Sequence, residues 1–131
     1  MKINIVVDAN PIISALIGGV SREVFFNHHF NFITTEFTLR EVKRYLPMIS
    51  KKSGVNMKRV SLALSLLPIT AHPKTSYKQN IPEADKLISH IDKKDVDILA
   101  LALFIKCPLW SNDRDFETVE GITLLKTKDL A

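Results

Sequence analysis

The opening of the chain constrains its fold most. Ile3–Val7 is apolar except for Asn4, and Asp8 follows at once, with Pro11 close behind. An apolar run without polar alternation reads as a strand buried on both faces, and such strands belong to parallel sheets covered by helices. The rest of the chain repeats the alternation. Pro11 suits the first turn of a helix that Gly18-Gly19 ends, and Ser21 is placed to cap a second helix through His28. Further strands are expected at Asn31–Thr34, Ile69–Ala71, Leu109–Ser111 and Ile122–Leu125. Between them, a helix from Thr34 or Thr35 to about Leu46 is ended by Pro47, and Asn56–Leu67 is stopped by Pro68. Helices over Pro82–Ile91 and Val96–Lys106 complete the pattern. It predicts an open parallel sheet with helices on both faces, in which ligands bind beyond the carboxyl ends of the strands. Chemistry is therefore expected just after Val7 and just after Ser111.

Composition narrows the class. With 131 residues, 46% hydrophobic and 24% charged, the chain fits one globular domain spanning 1–131, without repeats or linkers. A lone cysteine, Cys107, cannot form an internal disulfide, which fits a reducing cytoplasm. A membrane span needs about 20 apolar residues. The first apolar stretch is broken by Asp8, Asn10 and Pro11, and Val60–Ala71 is short and contains Pro68, so a soluble protein is expected. The formal charge of +4 is uneven. Residues 40–59 hold seven basic residues and one acid, a local +6 that leaves −2 for the remainder.

The acids sit where chemistry is expected. Asp8 follows the first strand and Asp113 follows the strand ending at Ser111. Each is equally suited to capping a helix or turn. Glu41 lies beside Val42 and Leu46 on or at the edge of a helix's apolar face, where an unpaired carboxylate is costly, or else it is exposed and paired with Arg40 or Arg44. Asp95 opens the almost wholly apolar Val96–Lys106 helix, as a ligand or as its N-cap. Carboxylates gathered in one cleft repel unless protons or cations neutralise them. Oxygen-only ligands select Mg²⁺ or Mn²⁺ over zinc, and the four histidines lack zinc-site spacing.

Four segments resemble the PIN-domain family of small Mg²⁺/Mn²⁺-dependent ribonucleases, which includes VapC-like toxins. They are IVVDANPIISAL around Asp8, TTEFTLREVKRY around Glu41, DKKDVDILALAL around Asp95 and PLWSNDRDFE around Asp113. They occur in the family's order over nearly the whole chain. The resemblance implies a three-layer α/β/α sandwich with a central, roughly five-stranded parallel sheet. It also implies hydrolysis of RNA phosphodiester bonds by a metal-activated water, and frequent homodimerisation. By the same resemblance Asp8, Glu41, Asp95 and Asp113 are the catalytic, metal-holding acids, with Asp115 an auxiliary ligand and Asp97 the alternative to Asp95. Asn10 stands where the family often has Thr or Ser, and Ser111 matches a small hydroxyl residue that accompanies the last acid. A role as toxin of a toxin–antitoxin pair, with a cognate antitoxin as partner, follows from the same likeness.

The basic stretch then acquires a candidate role. Arg40, Lys43 and Arg44 share a helix with Glu41, and Lys51 and Lys52 extend a rim able to follow an RNA backbone, or else all five decorate solvated helix faces. Two other readings remain open. One is a catalytically inactive PIN-fold module that binds RNA or protein. The other is an aspartyl phosphotransferase using Asp8, disfavoured because Asn10 stands where a second Asp is usual. Ile12, Ile13, Leu16, Val24 and Phe25 either form an apolar interface or fill the core, and Trp110 is expected in the core.

Overall fold

A computed structural model describes residues 1–131. Strand β1 (Ile3–Val7) is the centre of the sheet, and Ile5, Val6 and Val7 are wholly buried. After it come α1 (Ala9–Ile17), α2 (Ser21–Phe25) and β2 (Phe30–Thr35), then three helices in succession, α3 (Glu36–Arg44), α4 (Leu46–Ser53) and α5 (Met57–Leu66). The chain continues through β3 (Ile69–His72), α6 (Lys74–Tyr77), α7 (Ile81–Ile88), α8 (Val96–Ile105), β4 (Leu109–Trp110), β5 (Leu124–Leu125) and α9 (Thr127–Leu130). All five strands are parallel, in the order β3-β2-β1-β4-β5. Val6 pairs with Ile33 on one side and Leu109 on the other. Strand order reverses between β1 and β4, so the crevice beyond their carboxyl ends is the switch point of the sheet.

Alternation along β1 divides the core into the two faces that the opening residues imply. Ile5 and Val7 join Ile12, Val24, Val42, Ile49, Val60 and Trp110, so α1 to α5 cover this side. Val6 joins Tyr77, Ala84, Ile88 and the buried run of α8 on the other. The result is the α/β/α sandwich. Trp110 is fully buried with its ring centroid 4.8 Å from Phe25 and 5.6 Å from Phe32, and its Nε1 donates to Thr127 Oγ1 at 3.1 Å. Ile12, Leu16, Val24 and Phe25 are likewise buried and Ile13 half-buried; these residues fill the core. No helix is long and apolar enough to cross a membrane.

Several local expectations need correction. Gly18 does end α1, in the left-handed region at φ 110°, and a side chain at Gly19 would collide with Ser14 Oγ at 2.4 Å. Ser21, however, is not an N-cap, and α2 stops at Phe25 rather than His28. The Ser21 hydroxyl instead donates to the Pro11 carbonyl at 2.9 Å, pinning α2 across the start of α1. Ser21→Ala is expected to lower stability by about 1 kcal/mol, read as a lower urea midpoint at unchanged slope. Pro47 does not close a helix but opens α4, where a missing N–H costs nothing. The short α6 and α9 had no amphipathic period to reveal them. The last strand is only Leu124–Leu125, without Ile122, and β4 ends at Trp110.

Candidate functional site

Asp8 is the first residue beyond β1. Its Oδ1 accepts from Ala9 N at 2.8 Å, capping α1, and its Oδ2 accepts from Ser111 Oγ at 2.8 Å, just beyond β4. Ser111 Oγ in turn accepts from Asp113 N at 3.1 Å. Asp113 Oδ1 accepts from Asp115 N at 2.9 Å, starting a 3-10 turn over Arg114–Phe116. Asp8 and Asp113 thus both act as caps, and the switch point brings their carboxylates together. Cap and convergence are not alternatives.

Asp95 behaves differently. It occupies the N-cap position of α8 but makes no capping bond; Asp92 Oδ1, at the start of the 3-10 turn Lys93–Asp95, accepts from Lys94 N at 2.9 Å. Because α8 is buried from Val96 to Ala102, Asp95 is carried into the interior and is only 6% exposed. Its Oδ2 is buried and has no hydrogen-bond partner. Carboxylate oxygens of Asp8, Asp95 and Asp113 lie within 4.8 Å of one another, and so do those of Asp92, Asp95 and Asp115. Burial, then the charge of Asp8 and the neighbouring Asp115 carboxyl, push the Asp95 pKa up to about 8. Burial also raises Asp8, against the lowering pull of its Ser111 and Ala9 hydrogen bonds.

Asp8, Asp92, Asp95 and Asp113 line an open cleft of about 320 Å³ together with Asn10, Glu41 and Lys94. Glu41 is half-buried and stands in the cleft wall, outside both close groups. Burial raises its pKa, Lys94 opposes the rise, and Asp8 and Asp92 add to it. Asn10 is an exposed wall residue. Asp97 faces elsewhere and accepts from the buried Tyr77 hydroxyl at 2.6 Å, so at this edge it is Asp95 that enters the cleft. Arg40, Lys43, Arg44, Lys51 and Lys52 are exposed, and none lines the cleft. Lys43 instead borders a groove between α3 and α5, with Leu39 and Leu64.

Asp92 and Lys94 were not singled out by sequence reasoning. The usable signal was the three-residue spacing of Asp92 and Asp95, since side chains three apart eclipse on a 3-10 turn. The donor set contains only carboxylates, with no histidine or cysteine in either close group. An orphaned buried carboxylate oxygen among further carboxylates fits a hard divalent cation.

A parallel α/β/α sandwich with an acidic cleft at its switch point defines the class. The chain belongs to the PIN-domain family, whose family model matches residues 6–131. Direct comparison with curated proteins gives no match. Among solved structures the fold is similar to VapBC2 from Rickettsia felis, determined bound to a DNA fragment from their promoter. That match has 13% identity, covers 95% of this chain and 98% of that chain, and has a TM-score of 0.71. It is also similar to PAE2754 from Pyrobaculum aerophilum, at 15% identity over 99% of this chain and 95% of that chain, with a TM-score of 0.64. At these identities the likeness is one of fold.

Proposed function

We propose that residues 1–131 form one nuclease domain, a Mg²⁺- or Mn²⁺-dependent endoribonuclease, acting as the toxin of a toxin–antitoxin pair. One observation carries the reading: Asp95 Oδ2 is buried without a partner, in a carboxyl group that meets Asp8 and Asp113 within 4.8 Å. Asp8, Asp95 and Asp113 would hold the cation, with Glu41 in the wall and Asp115 beside Asp95. A divalent cation there would supply Lewis-acid polarisation of a phosphoryl oxygen and a more acidic water. The chain's own contribution is positioning. Ser111 orients Asp8 and receives the Asp113 backbone N–H, so a single hydroxyl ties the two strand ends together. Asn10 stands at the mouth, and Arg40, Lys43, Arg44, Lys51 and Lys52 lie outside the cleft where they can meet an extended RNA backbone. Membership of the PIN-domain family supports the nuclease class. The likeness to the VapBC2 fold supports an antitoxin partner. The same reading places the protein in the cytoplasm as a homodimer.

The test is Mn²⁺-dependent cleavage of a mixed RNA pool, with chelator as control. RNA binding without cleavage under any metal would replace this reading with that of an inactive binding module. Ser111→Ala removes a partner of Asp8 without touching a proposed ligand. It is expected to weaken Mn²⁺ affinity by about tenfold, measured by calorimetric titration.

A further inference from the structure

Lys94 is the one basic residue in the cleft wall, facing the carboxylates of Asp8, Glu41, Asp92, Asp95 and Asp113. Its backbone is held, because Lys94 N donates to Asp92 Oδ1 at 2.9 Å and the next residue, Asp95, is buried. Its ammonium is not held. The protein's single ion pair within 4 Å is Lys126 with Glu117, so Lys94 remains unpaired although it shares the cleft lining with carboxylates. Its charge still reaches Glu41, whose ionised form it favours. An exposed, unpaired cation on an anchored turn at the mouth of an acidic cleft can meet an incoming anion without first breaking a contact.

An anion needs such a group here. A phosphodiester strand approaching these carboxylates meets repulsion, and the basic residues of α3 and α4 lie outside the wall, unable to offset it at the point of entry. We infer that Lys94 is a substrate-binding residue that holds a non-bridging phosphate oxygen of single-stranded RNA at the cleft. This rests on the nuclease reading for the identity of the strand. A lysine suits the task as a point charge on a flexible stem, free of fixed bidentate geometry. The competing role is a plain counter-ion, which would tune the acids and touch no RNA.

Binding separates the two. A fluorescent single-stranded RNA oligonucleotide would be titrated in Ca²⁺ buffer by anisotropy over a range of salt, using the wild type, Lys94→Gln, Lys94→Arg and Lys2→Gln. Lys2 is exposed at the opposite, amino-terminal edge of the sheet. Loss of one phosphate contact is expected to weaken binding and to make the slope of log K against log salt shallower by about 0.7. Lys94→Arg should keep the wild-type slope, and Lys2→Gln should leave both quantities unchanged. Unchanged affinity and slope in Lys94→Gln would overturn the assignment and leave the counter-ion role. The same proteins assayed in Mn²⁺ report on the nuclease reading by itself. Wild-type binding without cleavage would remove that reading while leaving Lys94 as a phosphate contact. Absence of any wild-type RNA binding would remove both.

Discussion

Asp8→Asn is expected to fold normally and to lose Mn²⁺-dependent RNA cleavage by at least about a hundredfold, ~2.7 kcal/mol of barrier. The fold should survive because asparagine is as good an N-cap as aspartate. Its amide oxygen can still accept from Ala9 N, and its NH₂ can donate to Ser111 Oγ once that hydroxyl rotates. What disappears is the charge at the point where β1 and β4 meet. Altering groups that merely support a metal ligand costs about 10–100-fold, so losing an anionic ligand should cost at least as much. Asp113→Asn should behave alike, its side-chain oxygen still accepting from Asp115 N. Circular dichroism and thermal melts check the fold, and a time course of RNA cleavage checks the activity. Full activity in both variants would remove the assignment.

Asp95→Asn is expected to raise the stability of the metal-free protein while abolishing its stabilisation by Mn²⁺. A carboxyl whose pKa stands near 8 in the fold and 3.8 as a free group binds more protons folded than unfolded between those values. Its favourable contribution is complete below about pH 4 and is lost as pH rises through about 8. The metal-free wild type should therefore lose stability across that window, by on the order of 2–5 kcal/mol. Mn²⁺ competes with the proton, so its stabilising effect should be larger at pH 8 than at pH 5. The asparagine variant removes the most strongly shifted group, leaving Asp8 and Glu41, and should make the pH dependence shallower and erase the metal response together. Differential scanning calorimetry at both pH values, with and without Mn²⁺, reads all of this. A metal-induced rise in Tm that survives in Asp95→Asn would show that Asp95 is not a ligand.

Much of the architecture was legible because it rests on local chemistry. The unbroken apolar run Ile5–Val7 can satisfy only a strand covered on both faces, and Gly18 supplies the left-handed residue that ends α1. Where expectation failed, the deciding partner was distant in sequence. Ser21 looked like a cap because serine often is one; a carbonyl ten residues earlier claimed its hydroxyl instead. Pro47 permits either a helix end or a helix start, and packing Ile49 into the core chose the second.

The site divides along the same line. That acids follow two strand ends is a property of the sequence, because strand ends are announced by where apolar runs stop. The sequence also favoured oxygen donors at any metal site, since its four histidines lack zinc-site spacing. It did not decide which acids meet. The register of β1 against β4 puts Ser111 on Asp8 across 103 residues, and the burial of α8 drives Asp95 into the cleft with an oxygen unsatisfied. It did not reveal that Asp92 stands beside Asp95, that Glu41 stays in the wall, or that Lys94 rather than the basic stretch at 40–59 faces the acids. Residue type and spacing fix which chemistry a chain can perform locally. Distances of a few ångströms between side chains on different elements are set by sheet register and helix packing, and these exist only once the whole core has closed.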